Sequence, residues 1–345
     1  MAVNEHRFAR HAEVVAALAD PALVPVEPPE EAGADRDAVG SAAWLRAHVA
    51  RFSHGSAHVR RRAVVEAELA RLDEDGLGRA ATQCTRKAGD GADPRVLAVR
   101  ALAGELGLPD PDAVAADVAL VSGVYFGGSD PAADEAVARL VAAFRAGAGA
   151  VAGDYSGAVG DGVASGDGDA DGGDGVASGD GDASGDRDAS SYGAAEGDGD
   201  GEALANRISI LVQAFEATGS LVERARGAAA EYGVDTAVGA VGAVGAVRAD
   251  GLVYETLRHD PPVLAMRRTA LRPTSVAGVE IAAGDLVTLD IAAANRDPEV
   301  FDRPDEFDAG RGETPSLTYG SAPRRCPGVG HSLALAAGIL QAGGR

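Results

Sequence analysis

Cysteine is scarce, with only Cys84 and Cys326 in 345 residues. So far apart in sequence, they cannot build a disulfide framework, and their scarcity fits a reducing cytosol. Basic residues are also outnumbered, 31 Lys and Arg against 53 Asp and Glu, for a formal charge of −22. That balance argues against a nucleic-acid partner, because phosphate recognition needs clustered cations. Long apolar runs are missing as well. The stretch Met1 to His11 carries charges where a signal peptide needs an apolar segment, and no uncharged run reaches membrane-spanning length. A soluble, cytoplasmic protein with no membrane partner is expected. Aromatics make up 4% of the chain, and Ala and Val carry most of its 46% hydrophobic content. Such a composition favours Ala-rich helices.

What is present divides into three stretches. Up to Arg145 the apolar residues recur at helical spacing over Ala12–Ala22, His58–Leu72, Arg95–Leu106 and Pro131–Arg145. This half is expected to be all-helical. Between Val151 and Gly201 stand 13 acidic residues against the single Arg187, with the unit Gly-Asp-Gly-Val-Ala-Ser-Gly-Asp-Gly-Asp-Ala at Gly160 and again at Gly173. So little apolar area cannot offset the entropy of ordering, so residues 151–201 are expected to be a disordered insertion. A calcium-binding β-roll is the alternative; it uses a nonapeptide with an apolar residue in every turn, which the spacing here does not follow. From Ala203 to Ala230 a long apolar helix is expected. The Ala-Val-Gly repeat from Ala237 to Val247 is open between strand, helix and loop. Gly251–His259 reads as helix, Ser275–Asp290 as a small hairpin, and Gly330–Ala342 as a closing helix. The class is mostly α with a minor β part, in one large domain over residues 1–345.

The chemistry concentrates in Tyr319-Gly-Ser-Ala-Pro-Arg-Arg-Cys-Pro-Gly328. A Pro/Gly loop delivers the Cys326 sulfur to the start of an apolar helix. Backbone N–H groups and the helix dipole there, with Arg324 and Arg325 alongside, favour a thiolate. Such a cysteine could serve as metal ligand, nucleophile or redox group, and a lone cysteine is often simply buried.

Its companions resemble the cytochrome P450 family as a group. The family's haem loop reads Phe-Gly-x-Gly-x-His/Arg-x-Cys-x-Gly, and Tyr319, Gly320, Arg324, Cys326 and Gly328 take matching places. Ala322 stands where the second glycine is usual. Glu255-Thr-Leu-Arg258 is similar to the family's Glu-x-x-Arg, and Phe307-Asp-Ala-Gly-Arg311 to the segment completing that triad. Alone, a Glu-x-x-Arg is an ordinary surface pair. In register with the cysteine loop, it joins a resemblance running from Leu252 to Leu340. The segments Ala294-Asn-Arg-Asp-Pro-Glu-Val-Phe301 and Arg303-Pro-Asp-Glu-Phe307 lie between.

The resemblance implies a P450-like fold opening at the B helix, without the usual N-terminal strands and A helix. It implies haem b (iron protoporphyrin IX) bound through Cys326, with His58, Arg62, Arg268 and Arg324 holding the propionates. The bland reading of His58 and Arg62 is a solvated basic face. It further implies O2-dependent insertion of one oxygen into a small organic substrate in specialised metabolism. Electrons would come from a ferredoxin with its reductase or a flavodoxin-type donor. The long helix takes the place of the I helix, with Glu216 and Thr218 as the distal acid–hydroxyl pair. Ala217 occupies the usual threonine position, so a non-hydroxylating relative or a peroxygenase is the rival reading. A second rival gives the function to the acidic repeat, as an interaction or calcium-binding module.

Overall fold

The structure is a computed structural model describing residues 3–29, 35–89, 91–154, 198–234 and 249–343. The acidic insertion, its calcium alternative and the Ala-Val-Gly repeat lie largely or wholly outside those residues. Strand β1 (Glu5–Phe8) leads into α1 (His11–Ala19) and β2 (Leu23–Pro25). Next come α2 (Ala42–His48), a 3-10 turn (Ala50–Phe52), α3 (Gly55–Leu69), α4 (Glu74–Ala88) and α5 (Pro94–Glu105). Then follow α6 (Pro111–Ser122), α7 (Pro131–Asp154), α8 (Asp198–Tyr232) and α9 (Ala249–His259). Strands β3 (Ala265–Ala270), β4 (Thr274–Val276), β5 (Val279–Ile281) and β6 (Leu286–Asp290) precede α10 (Ile291–Ala294) and α11 (Val329–Gly343). Among the described residues, no helix is long and apolar enough to cross a membrane.

Local chemistry explains where these helices begin. The Asp73 carboxylate accepts the Gly76 amide ahead of α4, and Asp93 and Asp110 do the same for Arg95 and Ala113. Pro94 and Pro111 then occupy the first helical position, where a missing N–H costs nothing. The same Asp-Pro pair that ends α1 thus opens α5 and α6. The mostly polar α4 buries only Leu77, Ala81 and Thr85, which hides it from a reading based on apolar spacing. It packs closely on α11 through small residues. A Cβ added at Gly338 would stand 2.3 Å from the Gly78 carbonyl oxygen.

The first half is not all-helical, as its spacing suggested, because β1 and β2 enter a four-stranded sheet of order β1-β6-β3-β2. Strand β1 lies parallel to β6, pairing Glu5 with Leu286 and Phe8 with Leu289, while β3 runs antiparallel to β6 and β2. The chain therefore carries a strand ahead of its first helix, contrary to the expected opening. Nor is 275–290 one hairpin. Strands β4 and β5 turn at Ala277 and Gly278, both at positive φ, and β6 leaves to join the larger sheet. Phe8, Val14, Leu18, Leu23, Val287 and Leu289 form the core beneath that sheet. A larger core gathers α2 to α9 and α11, with Leu45, Leu77, Leu102, Leu140, Leu211, Leu221 and Leu335 at its centre.

Asp285 clamps the N-terminal strand. Its carboxylate accepts from the Asn4 amide (3.1 Å), the Ala282 amide (3.0 Å) and the His6 ring (2.9 Å). These donors, His6 foremost, hold its pKa down to about 2 from 3.8. A depressed folded pKa gives stability that is present above 3.8 and lost as pH falls through about 2. Asp285→Ala is therefore expected to be less stable than the parent at neutral pH, with the gap closing across that window. Urea midpoints measured against pH check this; a gap independent of pH would show that the carboxylate's charge is irrelevant.

Candidate functional site

The centre of the site is a fully buried ion pair. Glu255 and Arg258, three apart on α9, are both 0% exposed. Arg258 donates from Nε and Nη2 to the two Glu255 oxygens (2.9 and 2.6 Å). Its remaining N–H groups reach the carbonyls of Asn295, Pro304 and Glu306. All five guanidinium donors are used, which is what a buried charge requires. Glu255 also accepts the Asp308 amide at 3.0 Å, and Arg311 stands 3.4 Å away while bonding the Asp302 and Arg303 carbonyls. The three residues of the expected triad thus converge and fix the loop from Asp302 to Arg311 against α9.

From there the order passes to the cysteine loop through Asn295, which is buried. Its amide donates to the Leu257 carbonyl (3.1 Å) and Thr318 Oγ1 (3.0 Å), and its oxygen accepts the Leu317 amide (2.7 Å). Gly320, at φ 73°, turns the chain where a side chain would be strained. The Cys326 amide then closes the loop by donating to the Tyr319 carbonyl at 2.9 Å. Ala322, in place of the second glycine, is not among the residues at positive φ, so its side chain carries no such strain.

Cys326 is solvent-accessible, yet enough protein surrounds it that burial dominates its acidity. Both hold for a thiol at the floor of a recess. Burial raises its pKa, outweighing the Gly328 amide, which donates to the sulfur, and the charges of Arg51, Arg62 and Arg325. The expected low-pKa thiolate is thus corrected for the chain alone: desolvation wins over the helix start and the arginines. A soft metal reverses that balance, because a coordinating thiol is deprotonated outright.

Around the recess, cations gather without matching anions. Among the described residues, Arg268 bonds only the Arg267 carbonyl and Met266 sulfur; burial, then Arg51 and Arg324, pushes it down to about 10. Arg324 donates to the Ser53 carbonyl and is itself lowered by burial and Arg62. Burial, reinforced by Arg324 and Arg62, pushes His58 down to about 4. Of this group only Arg62 has a carboxylate among the described residues, Glu66 at 2.6 Å. The predicted cofactor set of His58, Arg62, Arg268 and Arg324 is therefore brought together with Cys326, and Arg51 of the 3-10 turn lies close by without belonging to that set. Sequence reasoning missed Arg51 because no motif marks it; its role depends on tertiary placement. A dianionic group carrying a thiophilic metal fits these residues. It would meet the unmatched guanidiniums with its carboxylates and the accessible sulfur with its metal. A cavity of about 220 Å³ beside the same turn is lined by Phe52, Ser53 and Arg61, without Cys326.

The distal pair does not form. Residues two apart on a helix point roughly 200° apart, and Glu216 and Thr218 behave accordingly. Glu216 is exposed and pairs with Arg95 on α5 at 3.1 Å. Thr218 is buried and meets Ser332 of α11 (3.1 Å), to which the Tyr319 hydroxyl also donates (3.0 Å). Thr218 thereby belongs to a hydroxyl chain joining α8, α11 and the cysteine loop.

Known proteins resemble this chain both in sequence and in fold. Residues 249–330 match the family model described as Cytochrome P450. The chain is 45% identical over 74 residues to the linalool 8-monooxygenase of Pseudomonas putida, covering 21% of this chain and 18% of that enzyme. It is 40% identical over 82 residues to a biotin biosynthesis cytochrome P450 of Bacillus subtilis, covering 24% and 20%. The aligned part thus spans about a fifth of these relatives' length. Folds agree over far more of the chain. The crystal structure of P450BioI with an acyl-ligated acyl carrier protein superposes with a TM-score of 0.67 at 17% identity, covering 97% of this chain and 83% of that one. That of CalO2 gives 0.65 at 20% identity, covering 98% and 82%.

Proposed function

Since the chain belongs to the cytochrome P450 family, whose members are haem-iron proteins, we propose that it is a haem-thiolate monooxygenase. It would insert one oxygen atom from O2 into a small organic substrate. The observation carrying this reading is the accessible Cys326 sulfur in a recess flanked by guanidiniums, of which Arg51, Arg268 and Arg324 lack carboxylates among the described residues.

When bound, haem supplies the redox-active iron at which O2 is activated, with electron density pushed from the thiolate, a property already established for this family. Cys326 provides that ligand, and the Gly328 amide steadies the charge on its sulfur. Arg268 and Arg324, with His58 and Arg62 beside them, hold and orient the propionates. The Glu255–Arg258–Arg311 triad keeps the loop rigid through Asn295. Electrons would arrive from a ferredoxin with its reductase or a flavodoxin-type partner, docking where Arg325 is exposed beside the loop.

One observation favours a second reading. With Glu216 turned to Arg95 and Thr218 committed to Ser332, the acid–hydroxyl pair expected to pass protons to the distal face is missing from it. A peroxide-driven enzyme needs no such relay. Purified, haem-loaded protein is expected to show the red-shifted thiolate band in its reduced CO complex. Turnover with a ferredoxin system, compared with turnover on peroxide, then separates the two readings. A reduced CO spectrum without the thiolate band would overturn both.

A further inference from the structure

Charge is unbalanced at this site beyond what a haem can neutralise. Three guanidiniums near the recess, Arg51, Arg268 and Arg324, have no carboxylate partner among the described residues. Arg62 has Glu66, and His58 is neutral at pH 7. Arg325 also has no carboxylate partner among the described residues, but it is exposed beside Cys326 on the cysteine loop itself. Two propionates would answer Arg268 and Arg324, the more enclosed members. One cation is left over.

That cation, Arg51, differs from the others in its surroundings. It belongs to the 3-10 turn and makes no side-chain hydrogen bond among the described residues; its guanidinium lies over the Phe126 ring at 5.1 Å. Phe126 is 59% exposed, unusual for so large an apolar side chain, and stacks edge-on to Tyr125 and Phe52. Beside them the Tyr125 hydroxyl is buried, near Ser209 but without a well-formed hydrogen bond among the described residues, and within electrostatic reach of Arg51. An unpaired guanidinium on an exposed aromatic shelf, close enough to the recess to act on the Cys326 sulfur, is suited to an anionic head on an apolar body. Arg51 is itself exposed, so water satisfies its guanidinium until an anion arrives.

We propose that Arg51 anchors the carboxylate of the substrate, and that the protein acts on small organic acids whose apolar portion packs along Phe126. This rests on the haem-thiolate reading above.

The test uses haem-loaded protein and the spectral shift of the haem on ligand entry. Hexanoate, decanoate and phenylacetate are each titrated beside their uncharged amides. At least one acid is expected to bind about tenfold more tightly than its amide, the order of one charge-assisted contact at a partly exposed site. Arg51→Gln should remove that preference while leaving amide binding unchanged, and Arg51→Lys should restore part of it. Equal binding of every acid and amide overturns the proposal, as does equal weakening of both by Arg51→Gln. So does loss of haem from Arg51→Gln, which would make Arg51 a propionate ligand. The reduced CO spectrum of the parent reports separately: without a thiolate band the haem-thiolate reading itself falls.

Discussion

Arg258→Ala is expected to leave the chain unable to hold its native structure at ambient temperature. The substitution strands Glu255 at 0% exposure with Arg311, 3.4 Å away and mostly engaged elsewhere, as its remaining cation. It also orphans the Asn295, Pro304 and Glu306 carbonyls. Removing one partner of a buried ion pair costs roughly 3–5 kcal/mol. The three lost backbone contacts add to that, against a total stability of about 5–15 kcal/mol for ordinary domains. Arg311→Ala should be much milder, about 1–2 kcal/mol, because its contact with Glu255 is long (3.4 Å) and its bonds to the Asp302 and Arg303 carbonyls are exposed to solvent. Urea unfolding of the two variants side by side decides the matter. Equal losses would mean that Glu255 is not held chiefly by Arg258.

Glu255 and Arg258 were legible because they share one helix face by spacing alone, whereas Arg311, 56 residues beyond Glu255, was legible only through the resemblance of Phe307-Asp-Ala-Gly-Arg311 to the family's segment. Helices α5, α7, α8 and α11 were legible because each buries an apolar stripe, whereas α3 buries only Val65 and Leu69. What escaped is long-range. The parallel pairing of β1 with β6 joins the two ends of the chain, and nothing in Glu5–Phe8 declares a partner at Leu286–Leu289. The direction of Glu216 is a different case. A two-residue separation already put it on the opposite face from Thr218, so helical geometry argued against pairing them. The acidity of Cys326 failed for a third reason. The helix start and arginines are visible in sequence, but desolvation is a property of the folded recess, and here it dominates.

That last point shapes the prediction for Cys326 itself. In the cofactor-free chain its thiol is expected to alkylate with iodoacetamide more slowly at pH 7 than an unperturbed thiol, despite being accessible. A pKa raised by burial leaves a smaller thiolate fraction, and only the thiolate attacks. The rate should climb with pH above the ordinary thiol range, measured in a Cys84→Ser background so that a single thiol reports. Loading with haem should abolish the labelling, since the sulfur is then occupied. Cys326→Ala should lose the thiolate band of the reduced CO complex completely. The triad, Asn295 and the Cys326 amide bond to Tyr319 do not involve the sulfur, and only the Gly328 amide loses its acceptor, so the urea midpoint before loading should stay near the parent's. Fast labelling at pH 7 would restore the low-pKa thiolate, whereas a thiolate band surviving in Cys326→Ala would move the ligand elsewhere. Slow labelling, protection by haem and loss of the band in the alanine variant together would mean that the iron, and not the protein's own field, deprotonates this cysteine.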